Sequence, residues 1–451
     1  MTAETETVSA ASRPDSAQSS EIVEHFFREQ SRRLYGTLTR ILGPRDLSII
    51  EDVVQEACFR ALRTWSIGGI PDNPAGWITR VAINLARDAM RRTQMATTKE
   101  AALIAFFEQQ ESTPLAAAAG DGKLPDDSLR LLFVCCHPSI SPEAQVMLSL
   151  KVLCGFTTRQ IAVAFTSSDA AVEKQLARTK RRIRELGMAF DLPEGEELAL
   201  RLNSAHIALY LLFNEGYKAS SGERPIHEEL CREAIRLTVL LLDHPVGRTP
   251  RSHALLALML LTAARFPSRL SMSGDLLRLT DQDRTKWDQA LINRGLFHLG
   301  QSAEGDDFSE YHVQAGIAAT HCIAPSYEST DWSQILELYD RLVAIKPTAI
   351  VALNRAVALS HVKGPEAALA ALETIGSGES LKSHYLFHAV TGELHSRLNH
   401  HERAADCFRQ ALNLAELRPE QAHFERQLER LYISRDHRER EVGHRPAESH
   451  A

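Results

Sequence analysis

From Glu196 to the end almost every segment repeats its apolar residues with a period of 3.6 and no convincing strand appears; helices also fill about 21–92, so the pattern predicts an all-α protein. In the run Glu51 to Leu62, EDVVQEACFRAL, residues Val53, Ala57 and Leu62, with Trp65 beyond them, can face a core. That leaves Asp52, Gln55 and Glu56 on an acidic outer face. A turn-rich stretch, SIGGIPDNPAG, leads into a second amphipathic helix from Trp77 to Arg92. Its apolar stripe is Ile78, Val81, Leu85 and Ala89, and its polar stripe is Arg80, Asn84, Arg87 and Arg91. Such a polar face suits single-stranded nucleic acid, because Arg meets phosphate, Asn hydrogen-bonds a base edge and Trp77 can stack. A tryptophan at this spacing is more often part of a core than a stacking platform.

Further on, GFTTRQIAVAFTSSDAAVEKQLARTKRRIRE, from Gly155 to Glu185, has the pattern of a helix-turn-helix. Ile161, Ala162 and Phe165 share one face of a first helix. A Thr166-Ser167-Ser168 turn follows, and Val172, Leu176 and Ile183 continue an apolar stripe. Between those apolar positions stand Lys174, Arg178, Lys180, Arg181, Arg182 and Arg184, against only Glu173 and Glu185. Ser168 or Asp169 can cap the second helix and present its first turns to a major groove. Many packed helix pairs that never touch DNA share this spacing.

Composition alone says little about function. A formal net charge of −7 argues against a uniformly basic nucleic-acid binder, but local potential rather than total charge steers association, and the two helices above are locally basic. The 451 residues, 44% of them hydrophobic, are enough for three domains. No run is long and apolar enough to cross a membrane, and the N-terminus is polar and acidic rather than a signal sequence, so a cytoplasmic protein without membrane contact is expected. The seven cysteines include no C-x-x-C pair. Cys135-Cys136-His137 is the densest group and reads as buried structure rather than a metal site.

The punctuation of the chain divides it further. Residues 1–20 read as a disordered tail, 21–92 as a first helical domain, and 93–127 as a linker around one short helix, AALIAFFEQQ. The second domain spans 128–190, and Leu192-Pro193-Glu194-Gly195 breaks the helix before a helical extension over 196–330. From 331 to 431 the pattern repeats. Ile335, Tyr339 and Leu342 precede Pro347, and Ala404, Phe408 and Ala411 precede Pro419 with the same spacing, two periods of about 34 residues further on. Ala368 and Leu372 mark a weaker middle copy. This period is the tetratricopeptide signature, in which stacked helix pairs leave a groove that ordinarily takes a protein segment, the alternative being a purely structural stack packed against the preceding domains. Residues 432–451 read as a polar tail.

Taken together, the EDVVQEACFRALRTW helix, the PAGWITRVAINLARDAMRR helix and the helix-turn-helix resemble the extracytoplasmic-function (ECF) sigma factors of bacterial RNA polymerase. The segments LRLLFVCCHPSISPEAQ and LYLLFNEGYKASSGE resemble the subgroup called ECF group forty-two, which carries a C-terminal tetratricopeptide-like extension. The resemblance covers the chain from about Glu21 to about Leu431. It implies that Asp52, Gln55 and Glu56 dock on the beta-prime clamp helices of core polymerase. Trp77, Arg80, Asn84, Arg87 and Arg91 then melt and read the −10 element of promoter DNA, and the 66–76 loop captures a flipped base. Lys151, Ser168, Glu173, Lys174, Ala177, Arg178 and Arg181 serve the −35 element, with the beta flap as neighbour. Glu173, Ala177 and Thr166 depart from residues frequent in relatives, so the −35 sequence cannot be copied from one of them.

Catalysis finds little support. No Gly-rich phosphate loop, H-E-x-x-H or nucleophile elbow occurs among the nineteen histidines and many carboxylates, and neither cofactor nor metal is expected. His400-His401-Glu402 reads as a solvated repeat turn. The segment Tyr210 to Glu223, with Asn214, Glu215 and Tyr217, is unusually polar for a helix end and is the first place to look for a ligand. Two functions compete: a promoter-specificity subunit regulated in cis by its extension, and a helix-turn-helix regulator with a tetratricopeptide-like sensor. Only the first needs the acidic docking helix and the melting helix.

Overall fold

The computed structural model describes residues 16–92, 123–165, 167–217, 226–271, 277–305, 307–375, 384–415 and 420–431. They form helices joined by short turns, and no strand occurs among them, so the fold is all-α as the periodicity predicts. The chain divides into two compact units. One comprises residues 1–163 and 167–208, the other 164–166 and 209–451.

The first unit opens with α1 (Ser16–Leu42), α2 (Leu47–Gly68) and α3 (Pro74–Arg92). Helix α1 starts inside the stretch expected to be a tail, and residues 1–15 lie outside the described residues. Leu34, Leu38 and Leu42 of α1 meet Ile50, Val53, Ala57 and Ala61 of α2 and Ile78, Ala82, Ile83, Ala86 and Met90 of α3 in one core. Both apolar stripes are turned from their expected positions. Leu62 is exposed and Ala61 buried in its place, while Val81, Leu85 and Ala89 are only half-buried. Alanine lets helix axes approach closely, so the seam follows the small residues rather than the bulkiest ones. Helix α2 also runs on through Ser66 and Ile67, which shortens the expected loop to residues 69–73. Asn73 Oδ1 then accepts a hydrogen bond from the Gly76 amide at 2.9 Å and caps α3.

The linker helix AALIAFFEQQ lies outside the described residues, and α4 (Lys123–Cys135) starts within the expected linker. Helices α5 (Pro142–Val152), α6 (Thr158–Ala164) and α7 (Asp169–Leu186) complete the second helical group. Its core holds Leu132, Phe133, Leu148, Ile161, Val172, Leu176 and Ile183. Pro142 occupies the first turn of α5, where its missing N–H costs nothing. Gly187 ends α7 in the left-handed region at φ 63, where a side chain would be strained. Cys135, Cys136 and Cys154 are buried here, and burial raises the first two thiols, Cys136 to about 12. The chain breaks as expected around Leu192–Gly195 before α8 (Gly195–Tyr217). Within the first unit Arg201 of α8 donates to the Phe133 carbonyl at 2.7 Å and to Glu197 at 2.6 Å.

The second unit begins with the last turns of α8 and continues through α9 (Glu228–Asp243), α10 (Pro250–Ala263), α11 (Gln289–Gln301) and α12 (Glu310–Ile323). Every residue of α10 from Ala254 to Leu261 is buried, as befits a helix with neighbours on all sides. Arg269 covers the Tyr217 ring, with its guanidinium carbon 3.4 Å from the centroid, and donates to the Tyr217 carbonyl at 2.6 Å. The rest of the polar segment singled out there, from residue 218 on, lies outside the described residues.

Three helix hairpins follow: α13 (Trp332–Ile345) with α14 (Ala349–Val362), α15 (Pro365–Ile375) with α16 (Tyr385–Arg397), and α17 (His401–Leu414) with α18 (420–431). Their starts keep step with the period of about 34 residues read from the sequence. Ile335 and Leu342 belong to the first core, Ala368 and Leu372 to the second, and Ala404, Phe408 and Ala411 to the third. At Gly392 a methyl group would meet the Phe408 ring at 2.9 Å, so only glycine fits where α16 crosses α17. His401 is half-buried rather than solvated, and both of its ring nitrogens are closed off from water. Pro419 and residues 432–451 lie outside the described residues.

Candidate nucleic-acid interface

Helix α2 turns an acidic and apolar face to solvent. Asp52 and Gln55 are exposed and Glu56 is half-exposed. Arg60 Nε meets Glu56 at 2.7 Å, one turn away, an exposed pair that water and salt weaken. Beside these carboxylates stand Phe59 at 59% exposure and Leu62 at 50%, with Ile67 and Ile70 nearby in sequence and more exposed still. A protein rarely leaves four large apolar side chains open in one short stretch without a use for them. Sequence reasoning turned Leu62 inward and passed over the other three. The available signal was that Phe59 falls outside the core-facing stripe.

Helix α3 presents Arg80, Asn84 and Arg91 to solvent, with Arg87 half-buried beside them. The N-terminal cap at Asn73 fixes where this row starts. Trp77 is half-buried: its ring meets Trp65 edge to face at 5.7 Å, and Trp65 in turn stacks on Phe27 at 5.7 Å. Trp77 is thus anchored against Trp65 while the residue as a whole stays half-buried.

Helix α7 is capped by Ser168, whose Oγ accepts from the Ala171 amide at 3.2 Å. Glu173, Lys174, Ala177, Arg178 and Arg181 are exposed along its outer side. Arg181 and Arg182 each approach Glu185 at 3.8 Å, too loosely and too exposed to remove much of the positive potential. Thr166, in the turn before this helix, lies outside the described residues.

Lys151 and Lys180 do not join that exposed row. Lys151 of α5 and Lys180 of α7 both turn inward onto Glu51 of α2, Lys151 Nζ to Oε1 at 3.3 Å and Lys180 Nζ to Oε2. Their side chains are 8% and 15% exposed, and that of Glu51 is 12% exposed. Lys180, read from the sequence as part of the open basic face, is instead half-buried in an ion triad. A carboxylate 129 positions away had no signal in local pattern. Among the described residues no group of three His, Cys, Asp or Glu is placed to hold a metal ion, and no helix is long and apolar enough to cross a membrane.

Residues 26–95, which contain α2 and α3, match the sigma-70 region 2 family, and residues 201–303 match a family of unknown function. A probable RNA polymerase sigma factor, RfaY, of Xanthomonas campestris pv. campestris is 30% identical over 149 residues, covering 33% of this chain and 36% of that protein. An uncharacterised protein of Rhizobium meliloti (strain 1021) is 38% identical over 388 residues, which span 86% of this chain and 91% of the relative. The chain belongs to the same family as the Rhizobium protein, and its sigma-70 region 2 domain together with the sigma-factor relative supports a role as an RNA polymerase sigma factor.

Proposed function

We propose that the protein joins core RNA polymerase through α2, opens a promoter at its −10 element with α3 and reads the −35 element with α7. The observation that carries this reading is the pairing of two faces inside the sigma-70 region 2 match: an acidic and apolar one on α2, and an Arg-Asn one on α3. Asp52, Gln55 and Glu56 meet the beta-prime clamp helices, with Phe59 and Leu62 supplying the apolar part of the contact. Asn84 and Arg80 face the −10 bases, Trp77 stacks on an unpaired base, and Arg87 and Arg91 hold phosphates. Ser168, Glu173, Lys174, Ala177, Arg178 and Arg181 lie at the −35 element, next to the beta flap. Lys151 joins them once Glu51 lets it go. The working compartment is the cytoplasm, where polymerase is.

The three helix hairpins support a tetratricopeptide-like reading of the extension, whose groove takes a protein segment and whose presence tunes the factor in cis. Two experiments test this. The full chain should co-elute with purified core polymerase in gel filtration, and failure to do so overturns the sigma reading in favour of a free-standing helix-turn-helix regulator. Truncation after Asp191 should change promoter-dependent transcription in either direction. Equal activity of the two forms removes the regulatory role of the extension.

A further inference from the structure

We propose that Glu51 is a latch that holds the protein in a closed state in which Lys151, assigned to the −35 element, and Lys180, on the helix that reads that element, are withheld from DNA. The inference rests on the sigma-factor reading and adds a means of control to it.

The contact joins the two halves of the first unit. Glu51 sits in the first turns of α2, in the half that contains α3, and both of its oxygens are taken by lysines from the other half, Lys151 on α5 and Lys180 on α7. Two neighbouring contacts reinforce the closure: Arg184 Nε donates to the Arg45 carbonyl at 3.2 Å, and Arg40 Nε meets Asp127 at 2.9 Å. A single carboxylate shared by two ammonium groups, all three largely out of water, is sensitive to loss of one partner, because removing the carboxylate strands two cations. It also leaves one positive charge uncompensated, so the site has a standing attraction for an anion.

Promoter geometry makes this contact incompatible with the proposed activity. The centres of the −10 and −35 elements lie about 25 base pairs apart, or about 85 Å along B-form DNA. Helices α2, α3 and α7 each span about 27–33 Å at about 1.5 Å per residue. Because α3 packs back along α2, Asn84 and Arg178 stay within about two helix lengths, ~60 Å, while Glu51 and Lys180 touch, so α3 and α7 cannot reach both elements together. The latch must open on a promoter, and DNA phosphates are the anions that can replace Glu51 on the two lysines. Closed, the protein has a smaller cationic surface and its two readers cannot act jointly, which suppresses binding to DNA at random.

The test is competitive lysine acetylation of the full chain, read by mass spectrometry, in wild type and Glu51→Gln. Exposed Lys174 on the same helix serves as the internal standard. Glu51→Gln should speed labelling of Lys151 and Lys180 relative to Lys174 by about tenfold, the order expected when charge-assisted bonds are lost. It should also tighten binding of the free chain to a duplex carrying the −35 element. Glu51→Asp keeps the charge but withdraws it by one methylene, and should fall between the two. Unchanged relative labelling in both variants overturns the latch, and raised labelling with unchanged duplex affinity overturns its control of DNA binding. Raised labelling and affinity in a protein that never supports promoter-dependent transcription would sustain the latch as a contact and count against the sigma reading.

Discussion

Trp65 and Trp77 meet edge to face across the turn between α2 and α3, with ring centroids 5.7 Å apart and planes at 61°. The contact ties the helix assigned to polymerase to the helix assigned to the −10 element. Trp65→Ala should cost about 3 kcal/mol, the low end for deleting a tryptophan, because the ring is only half-buried. Trp77→Phe keeps an aromatic edge against Trp65 and should leave the melting temperature nearly unchanged while slowing promoter opening. Permanganate reactivity of −10 thymines measures that opening. Trp77→Leu, which removes the ring, should slow opening further, and a Trp77→Leu protein that opens promoters at the wild-type rate excludes the stacking role.

Base reading is assigned to exposed residues on two separate helices, so its loss should be separable. Asn84→Ala should relax base preference within the −10 element, and Arg178→Ala should weaken only promoters that depend on their −35 element, each by about 1–3 kcal/mol. A randomised promoter library, transcribed with each variant and sequenced, distinguishes them. Unchanged preference in both variants contradicts the assignments.

Charge on α2 is predicted to matter for assembly and not for folding. Asp52→Lys combined with Glu56→Lys alters one exposed and one half-exposed side chain, neither of them among the buried residues of α2. The helical circular dichroism spectrum should stay as it is while recovery with core polymerase falls at least tenfold. Recovery at the wild-type level would overturn the docking assignment of Asp52 and Glu56.

The second unit should be sensitive to acid. Burial drives the imidazole of His321 down to about 3, and it holds His298, His361 and His423 at about 4, where an unburied histidine titrates near 6.5. His361 shows the cause: its ring lies flat on Trp332 at 3.9 Å, and the Tyr327 hydroxyl meets its Nε2 at 3.0 Å. Groups whose folded values are depressed take up protons first in the unfolded chain. The stability they contribute is complete above about pH 6.5 and is lost as the pH falls toward 4. Melting temperature followed from pH 7.5 to 4.5 should drop, with the slope starting near pH 6.5. Trp332→Ala, which opens the stack, should flatten that slope by releasing His361, and a pH-independent melt would contradict the shifts.

Much of this was legible in the sequence, for a definite reason. Helix positions along α2, α3 and α7 follow from apolar spacing, and the three hairpins from a repeat that returns Ile335, Ala368 and Ala404 to equivalent places. Helix rotation was less well determined. Pattern reading weights bulk, so it chose Leu62 and Val81 over Ala61 and Ala82, although alanine governs how closely two helices approach. The cap at Asn73 could have been read from N-P-A-G, since an Asn before proline is a common helix start. The Glu51 triad could not, because nothing local distinguishes Lys180 from the exposed cations beside it until distant helices fold together.

The most direct test of the central claim is transcription itself. Purified core polymerase with and without the full chain, on fragmented genomic DNA from the source organism, can be followed by sequencing the 5′ ends of the transcripts. The account predicts a limited set of start sites that occur only when the chain is present, share paired −10 and −35 elements, and weaken with Asn84→Ala. Transcripts with the same 5′ ends in the presence and absence of the chain would contradict it.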